Sequence, residues 1–409
     1  VTARILRILA AAGWTLLAGR AAAQERVFVR PEPGTPVVAM QVLVGVGPAD
    51  EPAAQAGISY LAARSVVDPA RDVLDSLGAH LDVDQQKDAI AFTLTASPDA
   101  WAEAARVLMV ALFRDPVDSV STLRQRSAIV RELQGREASP ADALEREREK
   151  AVFGPDHPWG RPEVGTPASV QRIRVSQVDA FLRQNFTPER SVVAIVGPVE
   201  EDEAREVMRP HMPDGELRTD TVPPPEPADS TVRTDYNAIT TWVSATWRFG
   251  PEADVEALRM LAKLAADRVS FSPSRREVYN SLAEVTQHAG GGELTLTVVV
   301  PPRDADAWAD QLREAVGGYA RDALSPTLFA DRLRRFRGLR LMELDQPEQR
   351  AAAMARAALL GDRTATLADF TRLSPERLQG AARDLQGPIL VFLGPAGSQG
   401  GGTAASGGR

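Results

Sequence analysis

Any chemistry on this chain has to be assembled from carboxylates, hydroxyls and four histidines, because its 409 residues include no cysteine. Disulfides, thiolate metal sites and cysteine nucleophiles are excluded together. His80, His157, His211 and His288 are far apart in sequence, and none has a second ligand at metal-binding spacing. Two histidines one helical turn apart can share a metal, but isolated ones lack that local geometry. There is no Gly-x-Ser-x-Gly nucleophile elbow, no phosphate-cradling Gly-x-x-x-x-Gly-Lys loop and no dinucleotide fingerprint. "AGGGEL" at 289–294 reads as a turn into a strand. Asp82 and Asp84 alternate on a strand and are expected to be solvated, while "EREREK" at 145–150 reads as a salt-bridged helix face. No metal site and no cofactor are expected.

The elements that could position a site are written twice. "VVAMQVLVGVGPADEPAAQAGISYLAARSV" and "AITTWVSATWRFGPEADVEALRMLAKLAADRV" share a strand, a Gly-Pro followed by acidic residues, and an Ala/Leu-rich helix. Gly47 answers Gly250, Trp101 answers Trp308 and Gly197 answers Gly394, at a nearly constant offset close to half the chain. Residues 36–46 and 88–96 alternate like half-buried strands, and strands recur near 237–249 and 293–300. Helical spacing runs through 99–113, 118–150, 304–323 and 326–344. Ser139-Pro140 forces a kink or a fresh start, because proline lacks the donor and clashes with the preceding turn. The pattern predicts an α+β fold of two homologous domains, each a mainly antiparallel sheet with helices packed on one face. The expected division is a signal peptide at 1–23, a first domain at 24–217, a Pro-rich linker at 218–235, a second domain at 236–396 and a Gly/Ser tail at 397–409.

Hydrophobic residues make up 44% and charged residues 25%, the balance of a globular chain. The net charge of −8 argues against nucleic acid as a partner. The N-terminus carries Arg4 and Arg7, an apolar run through Leu17 and Ala21-Ala22-Ala23 before Gln24. That is the layout of an export signal, too short to span a bilayer comfortably, and it predicts a periplasmic or other extracytoplasmic location. No later segment is expected to cross a membrane.

"GVGPADEPAAQAGISYL", "LDSLGAHLDVDQQKDAIAFTLTA", "IVRELQGRE", "GPDHPWGRPEVGTPASVQRI" and "NFTPERSVVAIVGPV" stand in order along residues 27–200. Together they resemble the M16 peptidase family, the insulinase and mitochondrial-processing-peptidase group. The second half is recognisable mainly as a repeat of the first. In that family a helix carries His-x-x-Glu-His after a glycine: two zinc ligands one turn apart with a general base between, and a later glutamate as third ligand. Here Gly57 is followed by Tyr60 at the first ligand position, Ala63 at the base position and Arg64 at the second ligand position. Glu132 stands where the resemblance places the third ligand, at a shorter spacing than usual, with "SVVDPAR" in place of a longer segment. Tyrosine ionises only near pH ~10, alanine takes no proton, and arginine has no lone pair to offer a metal.

The resemblance therefore implies a non-catalytic homologue. Such a chain would be the substrate-binding, chamber-closing subunit of a heteromeric zinc metalloprotease, partnered by an active M16 subunit and acting on a peptide or unfolded-protein substrate. A stand-alone peptide-binding or assembly module of the cell envelope is the alternative, and a divergent M16 endopeptidase a lesser one. By resemblance, an arginine and a tyrosine of the second half could reach substrate. Aligned by its arginines, "SPSRREVYNSLAEV" offers Arg276 and Tyr279, with Arg275 as alternate; aligned by "SLAEV", Glu284 takes the tyrosine position. Arg64 and Glu132 are expected either to pair across the vacated site or to be two unrelated surface charges.

Overall fold

The structure, a computed structural model, describes residues 26–395 apart from 115, 220–221, 223–230, 271–276, 363 and 365–366. The expected signal peptide, the Gly/Ser tail, most of the Pro-rich linker and both Arg275 and Arg276 lie outside the described residues.

The first half opens with β1 (Val27–Pro31) and β2 (Val38–Val44), then α1 (Ile58–Val67) and the short α2 (Arg71–Ser76). The hairpin β3 (His80–Gln85) and β4 (Ile90–Ala96) follows. Five helices come next: α3 (Trp101–Phe113), α4 (Ser119–Arg136), α5 (Pro140–Phe153), α6 (Pro167–Arg172) and α7 (Val175–Asn185). Strand β5 (Ser191–Gly197) and α8 (Glu201–Met208) complete the half. The second half repeats the plan with β6 (Thr231–Asp235), β7 (Thr241–Phe249), α9 (Val255–Ser270), β8 (Asn280–His288) and β9 (Gly291–Val300). It ends with α10 (Ala305–Arg321), α11 (Pro326–Glu343), α12 (Pro347–Leu359), α13 (Pro375–Arg383) and β10 (Gln386–Gly394).

Both sheets have the same order, β1-β5-β2-β4-β3 and β6-β10-β7-β9-β8. Only β1 with β5 and β6 with β10 run parallel; the other neighbours are antiparallel, with Met40 opposite Leu94 and Val243 opposite Val298. The starts of α4 and α11, and of α5 and α12, are separated in sequence by the same distance as Trp101 and Trp308. Residues 231–235, read from sequence as the end of the linker, form β6 instead. Its side chains are at most half-buried, so it carries no apolar face to mark it as a strand.

Side chains alternate across a strand, and in β2 both faces are covered. Val38, Met40, Val42 and Val44 pack with α1, α3 and their neighbours, while Ala39 and Leu43 face the other way. That second face is closed by a helix from the other half: Ala351, Met354, Ala355 and Leu359 of α12 join Ala39, Leu43, Val192 and Ala194. The exchange is reciprocal, since Leu144, Val152 and Phe153 of α5 pack on Ile389, Val391 and Leu393 of β10. The strand expected to be half-buried at 36–46 is thus fully buried in β2, as is its neighbour β5. Both exchanged helices begin with proline at the first turn, where a missing N–H costs nothing, and the Ser139 hydroxyl accepts the Asp142 amide at 3.3 Å to start α5 afresh.

Candidate functional site

Helix α1 is set by its first turn. Gly57 adopts φ 90° at the N-cap, and a Cβ there would stand 2.6 Å from the Val164 carbonyl oxygen, so only glycine fits. The Glu51 carboxylate accepts the Gly57 amide at 2.9 Å, the Ser59 amide at 3.1 Å and the Ser59 hydroxyl at 2.5 Å. It thereby satisfies donors that a helix N-terminus leaves unpaired. Burial pushes the Glu51 carboxyl up from its ordinary pKa, against the pull of these hydrogen bonds. Ser59 Oγ also lies 3.0 Å from Gln85 Oε1, which ties α1 to the end of β3. Below this anchor Ile58, Leu61, Ala62 and Val66 enter the core.

One turn apart on the opposite face, Tyr60 and Arg64 look toward α4. Arg64 Nη1 donates to Glu132 Oε2 at 2.9 Å and lies 3.4 Å from the Tyr60 hydroxyl, with the guanidinium 5.5 Å from the tyrosine ring centre. Its Nε donates to Gln125 Oε1 at 3.0 Å, and Gln125 Nε2 donates in turn to Asp68 Oδ1 at 2.5 Å. Asp68 also pairs with Arg124. Burial alone would raise the Asp68 carboxyl, but hydrogen bonds from Arg124, Ser121 and Gln125 hold it below its ordinary value. Positions 64 and 132 therefore converge, as an ion pair rather than as two unrelated charges.

The donor set does not fit zinc. The guanidinium at 64 offers no lone pair, Ala63 is fully buried, and Glu132 is the carboxylate that Arg64 already occupies. Among the described residues no group of three or more His, Asp or Glu side chains is arranged to hold a metal ion. No step can be routed through a metal at this place.

Beside Tyr60 and Glu132 opens a polar cleft of about 510 Å³, lined also by Asp84, Glu145, Glu149 and Glu163. Of the second-half candidates, Tyr279 stands just before β8 with its amide on the Val299 carbonyl at 2.8 Å. It is 60% exposed and its hydroxyl is 3.4 Å from Glu277, so it stands at the start of the second sheet's edge strand. Glu284 lies on β8, exposed.

Sequence reasoning named Tyr60, Ala63, Arg64 and Glu132 but missed Gln125 and Glu51. Gln125 precedes Glu132 by two helical turns on α4, a spacing that puts both on one face. Glu51 is an acidic residue shortly before a helix start, the usual place for an amide acceptor.

No family model matches the chain. An uncharacterized zinc protease of Mycobacterium leprae is 32% identical over 198 residues, 46% of this chain and 43% of that protein, so the match spans less than half of the curated relative. The inactive domain of an M16 peptidase from Pseudomonas fluorescens superposes with a TM-score of 0.79 at 15% identity, covering 91% of this chain and 97% of that one. A protease from Helicobacter pylori gives a TM-score of 0.77 at 15% identity, covering 91% and 98%. The chain carries the two-domain α+β fold of solved M16-like peptidases and is similar over less than half its length to curated zinc proteases, with Tyr60, Ala63 and Arg64 on α1 where the resemblance places His-x-x-Glu-His.

Proposed function

We propose that this chain is the non-catalytic, substrate-binding and chamber-closing subunit of a heteromeric zinc metalloprotease, exported from the cytoplasm and paired with an active M16 subunit. The observation that carries the reading is the Arg64–Glu132 ion pair, 2.9 Å long and braced by Gln125, where a catalyst of this fold would hold its metal. A guanidinium supplies positive charge and bidentate reach in place of a cation, so the site keeps its packing without its chemistry. The open cleft beside it leaves room for a peptide. The likeness to a fold neighbour described as an inactive M16 domain supports the same reading. Among the described residues no helix is long and apolar enough to cross a membrane.

The test is affinity capture of the tagged chain from its own cells, with mass spectrometry and a zinc-dependent peptidase assay on the eluate. Stoichiometric recovery of an M16 peptidase that keeps its His-x-x-Glu-His motif, with chelator-sensitive activity, is expected. Recovery of the chain alone would instead favour the stand-alone peptide-binding reading, which the unpaired outer edge of β3 supports through strand addition. Peptidase activity in the chain purified alone would overturn both.

A further inference from the structure

The seam between the halves holds more carboxylates than it has cations to balance. Lys87, in the β3–β4 turn, is 5% exposed and its Nζ meets Glu149 Oε1 of α5 at 2.5 Å and Glu163 Oε1, in the segment before α6, at 3.0 Å. One residue back on α5, Arg148 is 8% exposed, pairs with Glu145 and reaches Glu293 of β9 at 3.2 Å across the seam. Glu293, 1% exposed, also meets Nε2 of His288 on β8 at 3.1 Å. Four carboxylates thus face two permanent cations, with His288 at the margin. Asp84 and Arg146 line the cleft on the open side.

This cluster is part of what joins the halves. Trp159 packs at a tilt against His288 with ring centres 4.2 Å apart and donates its indole N–H to the Lys87 carbonyl at 2.9 Å. Next to Lys87, Asp88 accepts the Ala289 amide of the β8–β9 turn at 2.5 Å and pairs with Arg356 of α12 at 2.6 Å. Val152 and Phe153 seal α5 onto β10 on one side of the cluster, while Lys87, Glu145, Arg148 and Glu163 line an open cleft on the other, which Glu284 of β8 also faces. With both Glu149 and Glu163 ionised, Lys87 would have to neutralise two carboxylates in a buried site, and one would repel the other uncompensated.

We propose that the seam is a proton-operated clasp: it is tightest when Glu149 and Glu163 share one proton around Lys87, and it loosens when both are ionised. Burial pushes Glu149 up to about 7, against the charge of Lys87, and raises Glu163 as well. The other members do not compete for that proton. Burial works against ionised Glu293 too, but the His288 hydrogen bond and Arg148 hold it at about 2. Burial opposes the charge on Lys87, yet Glu163, Glu149 and Glu293 raise it above an ordinary lysine. For a carboxyl raised in the closed state, the closed form holds a proton that the open form has released. The clasp is therefore strongest below the ordinary carboxylate value and weakens as pH rises toward 7, then levels off. The device does not depend on whether a partner subunit exists.

Hydrogen exchange on the full-length chain tests it, read at the Ala289 amide and the residues of the β8–β9 turn between pH 5 and 8. After correction for intrinsic exchange, the opening constant is expected to rise at least about tenfold between pH 5 and 7, since one linked proton changes it about tenfold per pH unit. Glu149→Gln should flatten that rise while keeping the turn protected at pH 8, and Glu163→Gln gives a second, more exposed variant with the same expectation. A flat wild-type profile, or a slope that survives in both variants, overturns the clasp.

Discussion

Consider Arg64 replaced by alanine and, separately, Glu132 replaced by glutamine. The two residues form one ion pair, but their side chains are 21% and 44% exposed, so the pair alone is worth about 0.2–1 kcal/mol. Arg64 has a second partner that Glu132 lacks. Its Nε satisfies the Gln125 carbonyl oxygen at 3.0 Å, and Gln125 is only 8% exposed. Leaving that acceptor bare costs about 1–3 kcal/mol. Arg64→Ala should therefore destabilise the chain by about 1.5–4 kcal/mol and Glu132→Gln by less than about 1 kcal/mol. The double variant should show a coupling energy of about 1 kcal/mol or less, because most of the Arg64 loss is directed at Gln125. Urea denaturation of the four proteins reads these values, and added salt should shrink the coupling while leaving the excess cost of Arg64→Ala in place. Equal costs for the two single variants would refute the reasoning, and so would a coupling above about 2 kcal/mol. Either would mean that the ion pair, not the Gln125 bond, holds α1 to α4.

Two further predictions concern the elements that hold α1 and the seam. Glu51→Gln leaves a single oxygen, which can accept from the Gly57 amide or from Ser59 but not from both, and removes the titration. Because burial raises the Glu51 carboxyl, wild-type stability should fall as pH climbs from the ordinary carboxylate range through that raised value, and the variant's denaturation midpoints should lack this slope. Glu51→Ala strands both amides and should cost about 2–4 kcal/mol at any pH. Ala355→Leu overfills the contact between α12 and the first sheet, where Ala355 is fully buried, and should cost about 1–3 kcal/mol. Hydrogen exchange should place the lost protection in β2 and β5, which belong to the other half; loss confined to the second sheet would contradict the exchanged-helix packing.

What the sequence made legible follows the range over which its signals act. Strand β4 and helices α3, α10 and α11 are read within a residue or two, because period 2 and period 3.6 are local patterns, and the run at 118–150 divides into α4 and α5 at Ser139-Pro140. Strand β8 was not read, since an edge strand with one neighbour buries little and only Ala283 and Val285 of "NSLAEVTQH" turn an apolar side to the core. The convergence of Arg64 and Glu132 was legible through the resemblance to a known motif, despite an unusual spacing, whereas Gln125 depended on the rotation of α4 against α1, which no local pattern records. The acidic-basic run at 145–150 shows the limit most clearly. Its i,i+3 pairs, Glu145 with Arg148 and Glu147 with Lys150, were foreseeable on any helix, but Arg148 and Glu149 are buried, and nothing in six residues says that a second sheet will cover one side of them. This chain uses arginine almost everywhere, with lysine only at 87, 150 and 263, and Lys87 is the one that enters the seam. A compact ammonium can face two carboxylates at once from a turn, where a planar guanidinium would demand a fixed fork geometry. Rarity did not mark the place, because Lys150 and Lys263 stand half-exposed in ordinary surface pairs, and only the fold brings Lys87 between Glu149 and Glu163.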